Sequence, residues 1–360
     1  MTSLVFRACL AAFLIATLPV SALAQRVPPW QPLQDEAQKL FQEANYAKSI
    51  EVAQKGYQFV LRVQGPEHPG AAIFLNRIAE CYRLQARFDL AEPIYEQSLR
   101  LLEKSVGPDD RRMALVLSNF GVMRVAQGRP AEAEAMLLRS LAIRERERDG
   151  GADVAVTAFT LNGLARVYYN RGQSDQAEAA LKRAIAISEK ARGPEHTDVA
   201  RSLANLGALY TQQNRYREAE ATYARALAIW DKGEGANRPL SSAAYSGLGD
   251  VYRAEEKLEE AMAAYKKGIA VVDNTLDRNH PRMAESLAGA ASIYALQGEY
   301  EDAESLYKRA LDIRLATLGE RHPETIRTME ALAEVYYKLK QTPEAEKLEE
   351  RALDLRTKKP

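Results

Sequence analysis

The sequence predicts an all-α protein made of tandem helix pairs, and three observations lead to that prediction. One pattern of residues returns about eight times along the chain at a nearly constant spacing. Within each unit, apolar residues recur three and four positions apart in two blocks, which is the period of amphipathic helices. Alanine is abundant and only 15 of the 360 residues are proline, a composition that favours helix.

The repeat is clearest in residues 202–229, SLANLGALYTQQNRYREAEATYARALAI, and the same layout returns at 160–187 and 286–313. A small residue near the middle of each unit anchors the register: Ser49, Ala91, Ala133, Ala177, Ala219, Ala261, Ala303 and Ala345. The spacing is 42 residues except for one step of 44, where the third unit has an insertion around 149–157. In the fifth unit, the pattern predicts helices over about 200–213 and 216–232.

Two columns of the alignment hold small residues, and two hold mostly large ones. In the fifth unit the small positions are Gly207 and Ala226, and the large ones are Tyr210 and Tyr223. Small residues at fixed places let helices approach closely, and large residues beside them are typical of side chains that insert into the slots so formed. The columns therefore predict close, regular packing between neighbouring helices.

The N-terminus carries a different pattern. Arg7 is followed by an apolar run from Ala8 to Val20 and then by Ala22-x-Ala24. This order predicts a secretory signal peptide, residues 1–24, cleaved before Gln25. The alternative is a membrane anchor, although 13 apolar residues are few for a span. The remaining boundaries are predicted as a linker at 25–32, the repeats at 33–356 and a tail at 357–360.

Cleavage would make Cys81 the one remaining cysteine, so the mature chain would have no internal disulfide. It precedes Tyr82 within a helical pattern, which favours a small core residue over a nucleophile. We expect an exported protein, periplasmic or secreted, and the signal type suits a bacterial envelope. Lys and Arg number 49, equal to Asp and Glu, so the bulk charge gives no nucleic-acid signal.

All four histidines, His68, His196, His280 and His322, lie 19 residues after an anchor, in the predicted loop between one helix pair and the next. They could be metal ligands, catalytic bases or loop residues that prepare the next helix. Successive units are about 10 Å apart, whereas two imidazoles on one metal must each reach it at about 2 Å. The spacing therefore favours the loop role. No phosphate-binding loop, nucleophile or metal motif is found, so we predict no enzyme activity and no cofactor.

The repeat resembles the tetratricopeptide repeat. The residues that carry the resemblance are Leu203, Leu206, Gly207, Tyr210, Ala219, Tyr223 and Ala226. The usual unit has 34 residues, and the longer unit in this chain is similar to the kinesin light chain variety. The resemblance covers residues 30–360. It implies a right-handed α-solenoid of about eight helix-turn-helix repeats with a concave groove, and it implies no reaction.

In that family the first helix of each pair lines the groove, which gives a set of candidate groove residues: Asn76, Arg77, Arg83, Asn119, Phe159, Asn162, Arg166, Tyr169, Arg201 and Asn205. Asn119 and Asn205 occupy the place where related grooves hold a ligand's backbone. The alternative, that these asparagines bond to a neighbouring helix, stays open. The basic set that clamps chaperone tails in the family has no match in this chain.

Groove charge is uneven along the chain. The inward places of units two to five carry a net charge of about +3, and those of units six to eight about −1, so an acidic segment or a C-terminal carboxylate suits the first half. We therefore predict an exported, non-enzymatic scaffold that binds an extended peptide or a partner helix. The alternative function is a self-associating structural or assembly factor of the cell envelope. The expected partner is a protein or peptide, with possible homo-oligomers, no nucleic acid and no membrane span in the mature chain.

Overall fold

The structure is a computed structural model that describes residues 27–43, 45–146, 154–232, 240–275 and 280–357. These residues form sixteen helices and no strand, which confirms the all-α prediction. Each odd-numbered helix pairs with the next to make eight units. The helices are α1 Gln31–Gln42, α2 Tyr46–Gln64, α3 Gly70–Leu84, α4 Phe88–Val106, α5 Arg111–Ala126, α6 Pro130–Arg146, α7 Val154–Asn170, α8 Ser174–Arg192, α9 Thr197–Gln212, α10 Tyr216–Lys232, α11 Ser241–Ala254, α12 Leu258–Thr275, α13 Pro281–Gln297, α14 Tyr300–Thr317, α15 Pro323–Lys338 and α16 Thr342–Thr357.

The observed bounds follow the sequence closely. In the fifth unit, α9 and α10 match the two predicted helices to within a few residues. The first helix begins at Gln31, two residues before the predicted start of the repeats, because Pro32 is compatible with the first helical turn. The predicted signal peptide lies outside the described residues and stays a prediction.

In the second to eighth units, the helix pair is joined by a tight turn with a left-handed residue five positions before the anchor. Gly128, Gly172 and Gly298 fill this position in three units, with φ between 71° and 82°. Four other units use Ala86, Asn214, Glu256 and Lys340, with φ of 58° to 61°. The turn therefore imposes its conformation even where the residue type does not favour it.

The predicted packing of large residues into slots is confirmed. Tyr223 of α10 lies between Gly207 of its own unit and Gly247 of the next, and a Cβ added at either glycine would lie within 3.0 Å of its side chain. Tyr265 lies in the same way against Gly249 and Gly289. Each of these slots joins two units, so the aromatic side chain sets both the pairing within a unit and the stacking between units. Helix packing explains the glycines in these helices without any ligand.

Polar contacts also join successive units at a repeated place. A glutamate follows the anchor in most units, and in four of them its carboxylate accepts from the next unit. Glu92 accepts from Arg124 at 2.7 Å, Glu178 from Tyr210 at 3.1 Å, and Glu220 from Tyr252 at 3.0 Å. Arg124 is 4% exposed, so its pair with Glu92 lies against the core.

The two helices of a unit occupy different layers. The first helix of every unit packs against the first helix of the next unit, from α1 and α3 through α13 and α15. The second helices of neighbouring units show no comparable packing with one another. In a curved array, the elements on the concave side lie closer together, so the odd-numbered helices form the inner face of an α-solenoid.

Candidate functional site: the inner face of the solenoid

The structure places the candidate groove residues on α3, α5, α7 and α9, which are all inner-layer helices. The asparagines form two matched pairs. The Nδ2 of Asn119 donates to Oδ1 of Asn76 at 3.1 Å, and the Nδ2 of Asn205 donates to Oδ1 of Asn162 at 2.7 Å. Each pair joins the inner helices of two neighbouring units.

These bonds give the asparagines a structural role. The Nδ2 of Asn162 also donates to the Ala158 carbonyl at 2.8 Å and to Ser202 Oγ at 2.7 Å. Asn76 and Asn119 are 5% and 3% exposed, so little of either amide can reach a ligand. The alternative that these asparagines bond to a neighbouring helix is therefore what the structure shows, and the charged and aromatic residues remain as the contact groups.

Two of the four candidate arginines are neutralised locally. Arg77 pairs with Glu80 at 2.8 Å and its guanidinium lies 4.1 Å from the centre of the Phe41 ring. Arg201 lies 3.5 Å from Asp198. These contacts hold both side chains against the wall of the inner face.

Arg83 and Arg166 have no carboxylate within 4.0 Å among the described residues. Arg166 is exposed and lies 5.8 Å from the centre of the Tyr169 ring, a weak cation–π contact. Phe159 and Tyr169 are half-buried on the same helix. The inner face of the fourth unit thus offers a free guanidinium beside two partly accessible aromatic rings.

Arg282 of α13 joins this group, although the sequence analysis did not select it. It too has no carboxylate within 4.0 Å among the residues that the structure describes. Burial lowers the pKa of Arg282 to about 10, and the positive charges of Arg201 and Arg83 lower it further. Arg83, Arg201 and Arg282 belong to the second, fifth and seventh units, so charges of distant units act on one another along the inner face.

The pKa values of Tyr46 and Glu285 are also affected by charges of distant units. Burial raises the pKa of Tyr46 in α2, and Arg282 opposes that rise from 236 positions away. Burial also raises the pKa of Glu285, although this side chain is exposed and Arg166 opposes the rise. Glu285 is exposed to solvent, so the charged groups of the inner face can be reached by a ligand. The inner face, called the channel below, therefore brings charges of distant units within range of one another.

Desolvation strengthens charge interactions in such a channel. Among the described residues, Arg83, Arg166 and Arg282 bring three positive charges without an ion pair, against the nearby carboxylates of Glu285 and Asp250. The channel can therefore bind an anionic chain by charge-assisted hydrogen bonds from guanidinium groups.

The histidines have a structural role at helix starts. The Nδ1 atoms of His196, His280 and His322 accept from the backbone N–H two residues ahead, at 3.1 to 3.2 Å, and cap α9, α13 and α15. His68 accepts in the same way from Gly70 N at 3.0 Å. Asp110 fills the equivalent position before α5 and accepts from Arg112 N at 2.9 Å. Aspartate is a standard N-cap residue. Because the histidines occupy the same position and make the same bond, their predicted role as loop residues is confirmed.

The described residues also bear on metal binding and on membrane insertion. No cluster of three or more His, Cys, Asp or Glu side chains there could hold a metal ion. No described helix is both long and apolar enough to cross a membrane.

Comparison with known proteins identifies the family. The tetratricopeptide repeat model matches residues 36–104, 70–146, 156–232, 212–274, 240–316 and 282–358. These matches cover most of the chain, so the protein belongs to the tetratricopeptide repeat family. Proteins of this family are generally non-enzymatic scaffolds for protein–protein interaction.

Solved structures with the same type of fold include three that span much of the chain. A putative kinesin light chain from Podosopora anserina with nearly identical repeats is 26% identical, covering 55% of this chain and 93% of its own, with a TM-score of 0.42. BtubC (BKLC) from P. vanneervenii is 22% identical, covering 69% and 93%, with a TM-score of 0.46.

The third is the APC/C hetero-tetramer Cut9–Hcn1, which is 14% identical over 90% of this chain and 52% of its own, with a TM-score of 0.62. At that identity, the likeness shows the fold alone. A comparison with curated proteins gave no significant match.

Proposed function

We propose that this protein is an exported, non-enzymatic scaffold that holds an extended, acidic segment of a partner protein inside its solenoid. The observation that carries the proposal is the set of three arginines, Arg83, Arg166 and Arg282, which lie on the inner helices α3, α7 and α13 and have no ion pair among the described residues. Export rests on the N-terminal pattern alone, Arg7 followed by an apolar run and Ala22-x-Ala24.

The influence of distant charges on one another supports an extended ligand over a helix. A helix with its side chains is about 10–12 Å across. Arginines from the second, fifth and seventh units lower one another's pKa, so their charges act across the inner face, which supports a ligand thinner than such a cylinder. An extended strand is thinner, and alternate side chains can point to opposite walls.

Charge supports an acidic ligand. Arg77 and Arg201 have carboxylate partners, so the free groups are Arg83, Arg166 and Arg282. A carboxylate that binds a desolvated guanidinium replaces lost hydration with strong hydrogen bonds. The rings of Phe159 and Tyr169 would contact apolar parts of the same segment.

The test uses a labelled, unstructured decapeptide of alternating Glu and Ser, with a Gln/Ser peptide as its neutral match. Fluorescence anisotropy with residues 25–360 measures binding. We expect the acidic peptide to bind at least about tenfold more tightly than the neutral one and to weaken as salt rises. The variant Arg83→Gln, Arg166→Gln, Arg282→Gln should lose this preference.

A matched variant controls for net charge. Arg100, Arg183 and Arg225 lie on second helices and are 68%, 49% and 45% exposed. Replacing these three by Gln removes the same charge from outside the channel and should leave binding of the acidic peptide unchanged. Equal losses in the two triple variants would mean that only bulk charge matters, which would contradict the proposal.

A further inference from the structure

The last helix, α16, leaves uncovered a leucine whose counterparts in earlier units pack against the following repeat. Leu353 is 63% exposed, while Leu311, 42 residues earlier, is 7% exposed. Leu311 packs with Ile326 and Met329 of α15, the first helix of the following unit. The repeat thus places a helix against this position, and no described residue does so at Leu353.

A second observation concerns Glu346, the glutamate that follows the last anchor. Its counterparts Glu92, Glu178 and Glu220 each accept a hydrogen bond from an arginine or a tyrosine of the next unit. Glu346 has no hydrogen bond or ion pair among the described residues. The final unit therefore exposes both the apolar residue, Leu353, and the polar residue, Glu346, at positions that join successive repeats elsewhere in the chain.

The charged residues around Leu353 indicate which kind of partner would bind there. Leu353 lies in a shallow concavity of about 480 Å³ with Glu330, Glu346, Glu349 and Glu350. Arg356 is the cation of this lining, and it is already paired with Glu330 at 2.8 Å. A surface with this excess of carboxylates favours a partner of net positive charge.

A second copy of this chain does not fit that requirement. The other end of the solenoid, α1, carries Asp35, Glu36 and Glu43 against Lys39, so end-to-end stacking would bring acidic surfaces together. Two α16 faces would repel one another for the same reason. The charges therefore point to a different protein.

We propose that the α16 face, formed by Glu346, Glu349, Glu350 and Leu353, docks a basic amphipathic helix of a partner protein. The helix stacks as the first helix of a ninth repeat would. Its apolar side covers Leu353, and an arginine or tyrosine near its C-terminal end donates to Glu346. This surface lies at the end of the solenoid, outside the channel, so the inference does not depend on the proposed function.

The probe is a synthetic peptide of residues 197–215, in which a side-chain staple constrains residues 197–212 as a helix and leaves the turn before Arg215 free. This segment carries Tyr210 and Arg215, the two groups that bind Glu178 at the equivalent place inside the chain. The staple removes the ordering cost that makes short isolated helices unstable in water. Binding to residues 25–360, which contain every described helix, is measured by fluorescence anisotropy.

We expect saturable binding that weakens at least about tenfold in Leu353→Asp and in Glu346→Lys. The peptide change Arg215→Glu should weaken binding to a similar degree. Glu36→Lys, on the exposed face of α1, is the matched control and should leave binding unchanged. Because Leu353 and Glu346 are exposed, each variant should keep the far-ultraviolet spectrum and the melting temperature of the parent.

Two results would overturn the inference. One is no saturable binding up to about 1 mM peptide, or binding that Leu353→Asp and Glu346→Lys leave unchanged. The other is a dimer in light scattering that Leu353→Asp converts to a monomer, since the occupant would then be a second copy of the chain.

Discussion

Gly247 of α11 touches the side chain that joins the fifth and sixth units. A Cβ added there would lie 2.2 Å from the Tyr223 hydroxyl oxygen and 2.4 Å from Cζ. The opposite face of the ring is closed by Gly207, where an added Cβ would lie 2.8 Å from the ring. The ring therefore cannot move away from a new methyl group without opening another contact.

The magnitude for Gly247→Ala follows from two opposing terms. Alanine is favoured over glycine in a helix interior by about 1 kcal/mol. Overpacking a closed site destabilises by about 1–3 kcal/mol, and a ring confined on both faces belongs at the upper end. We therefore expect a net loss of about 2 kcal/mol in local stability, whereas helix propensity alone predicts a gain.

Native-state hydrogen exchange of α10 and α11 measures this loss directly, since repeat proteins can unfold in parts. The control is Ala243→Gly, an exposed position of the same helix, which should lose about 1 kcal/mol from propensity alone. Stronger protection of both helices in Gly247→Ala would refute the packing account of this glycine.

Three further predictions concern single side chains. Burial lowers the pKa of His322, so this side chain binds a proton more tightly in the unfolded chain than in the folded one. The free energy of unfolding should therefore fall as pH drops below about 6.5. The variant His322→Asn, which keeps the helix cap, should show a weaker pH dependence in urea titrations. Burial raises the pKa of Cys81 to about 11, so its thiol should react with a thiol reagent much more slowly in the folded chain than in urea, and equal rates would contradict its core position. Asn162→Ala leaves Asn205 without its acceptor and should lower the thermal stability by about 1–3 kcal/mol; an unchanged melting curve would mean that the pair contributes nothing.

Much of the fold could be predicted from the sequence because the same helix pair recurs in every unit. The anchor spacing fixes the helix pairs, and the columns of small and large residues predict the slots that Tyr223 and Tyr265 fill. The histidines were also predictable as loop residues, since their constant distance from the anchors excluded a shared metal. Their capping bonds could have been inferred from Asp110, a common cap residue at the same place in its unit.

Other features depend on three-dimensional geometry that the repeat pattern does not encode. The left-handed turn residue is visible as Gly128 or Gly298, but Glu256 and Lys340 give no such signal because the surrounding turn overrides their preference. The effect of the Arg83 charge on Arg282 depends on the curvature summed over five units. Small differences between the units determine that curvature. Whether the asparagines of neighbouring units bond to each other depends on the angle between the inner helices, which the sequence does not give.

Co-purification from the native host tests the central claim of a channel that binds a partner segment. Tagged residues 25–360 would be compared with the channel variant Arg83→Gln, Arg166→Gln, Arg282→Gln and with the outer variant at Arg100, Arg183 and Arg225, by quantitative mass spectrometry. The account predicts at least one protein whose recovery falls about tenfold or more with the channel variant and is unchanged with the outer variant. Full recovery of every partner by the channel variant would contradict it.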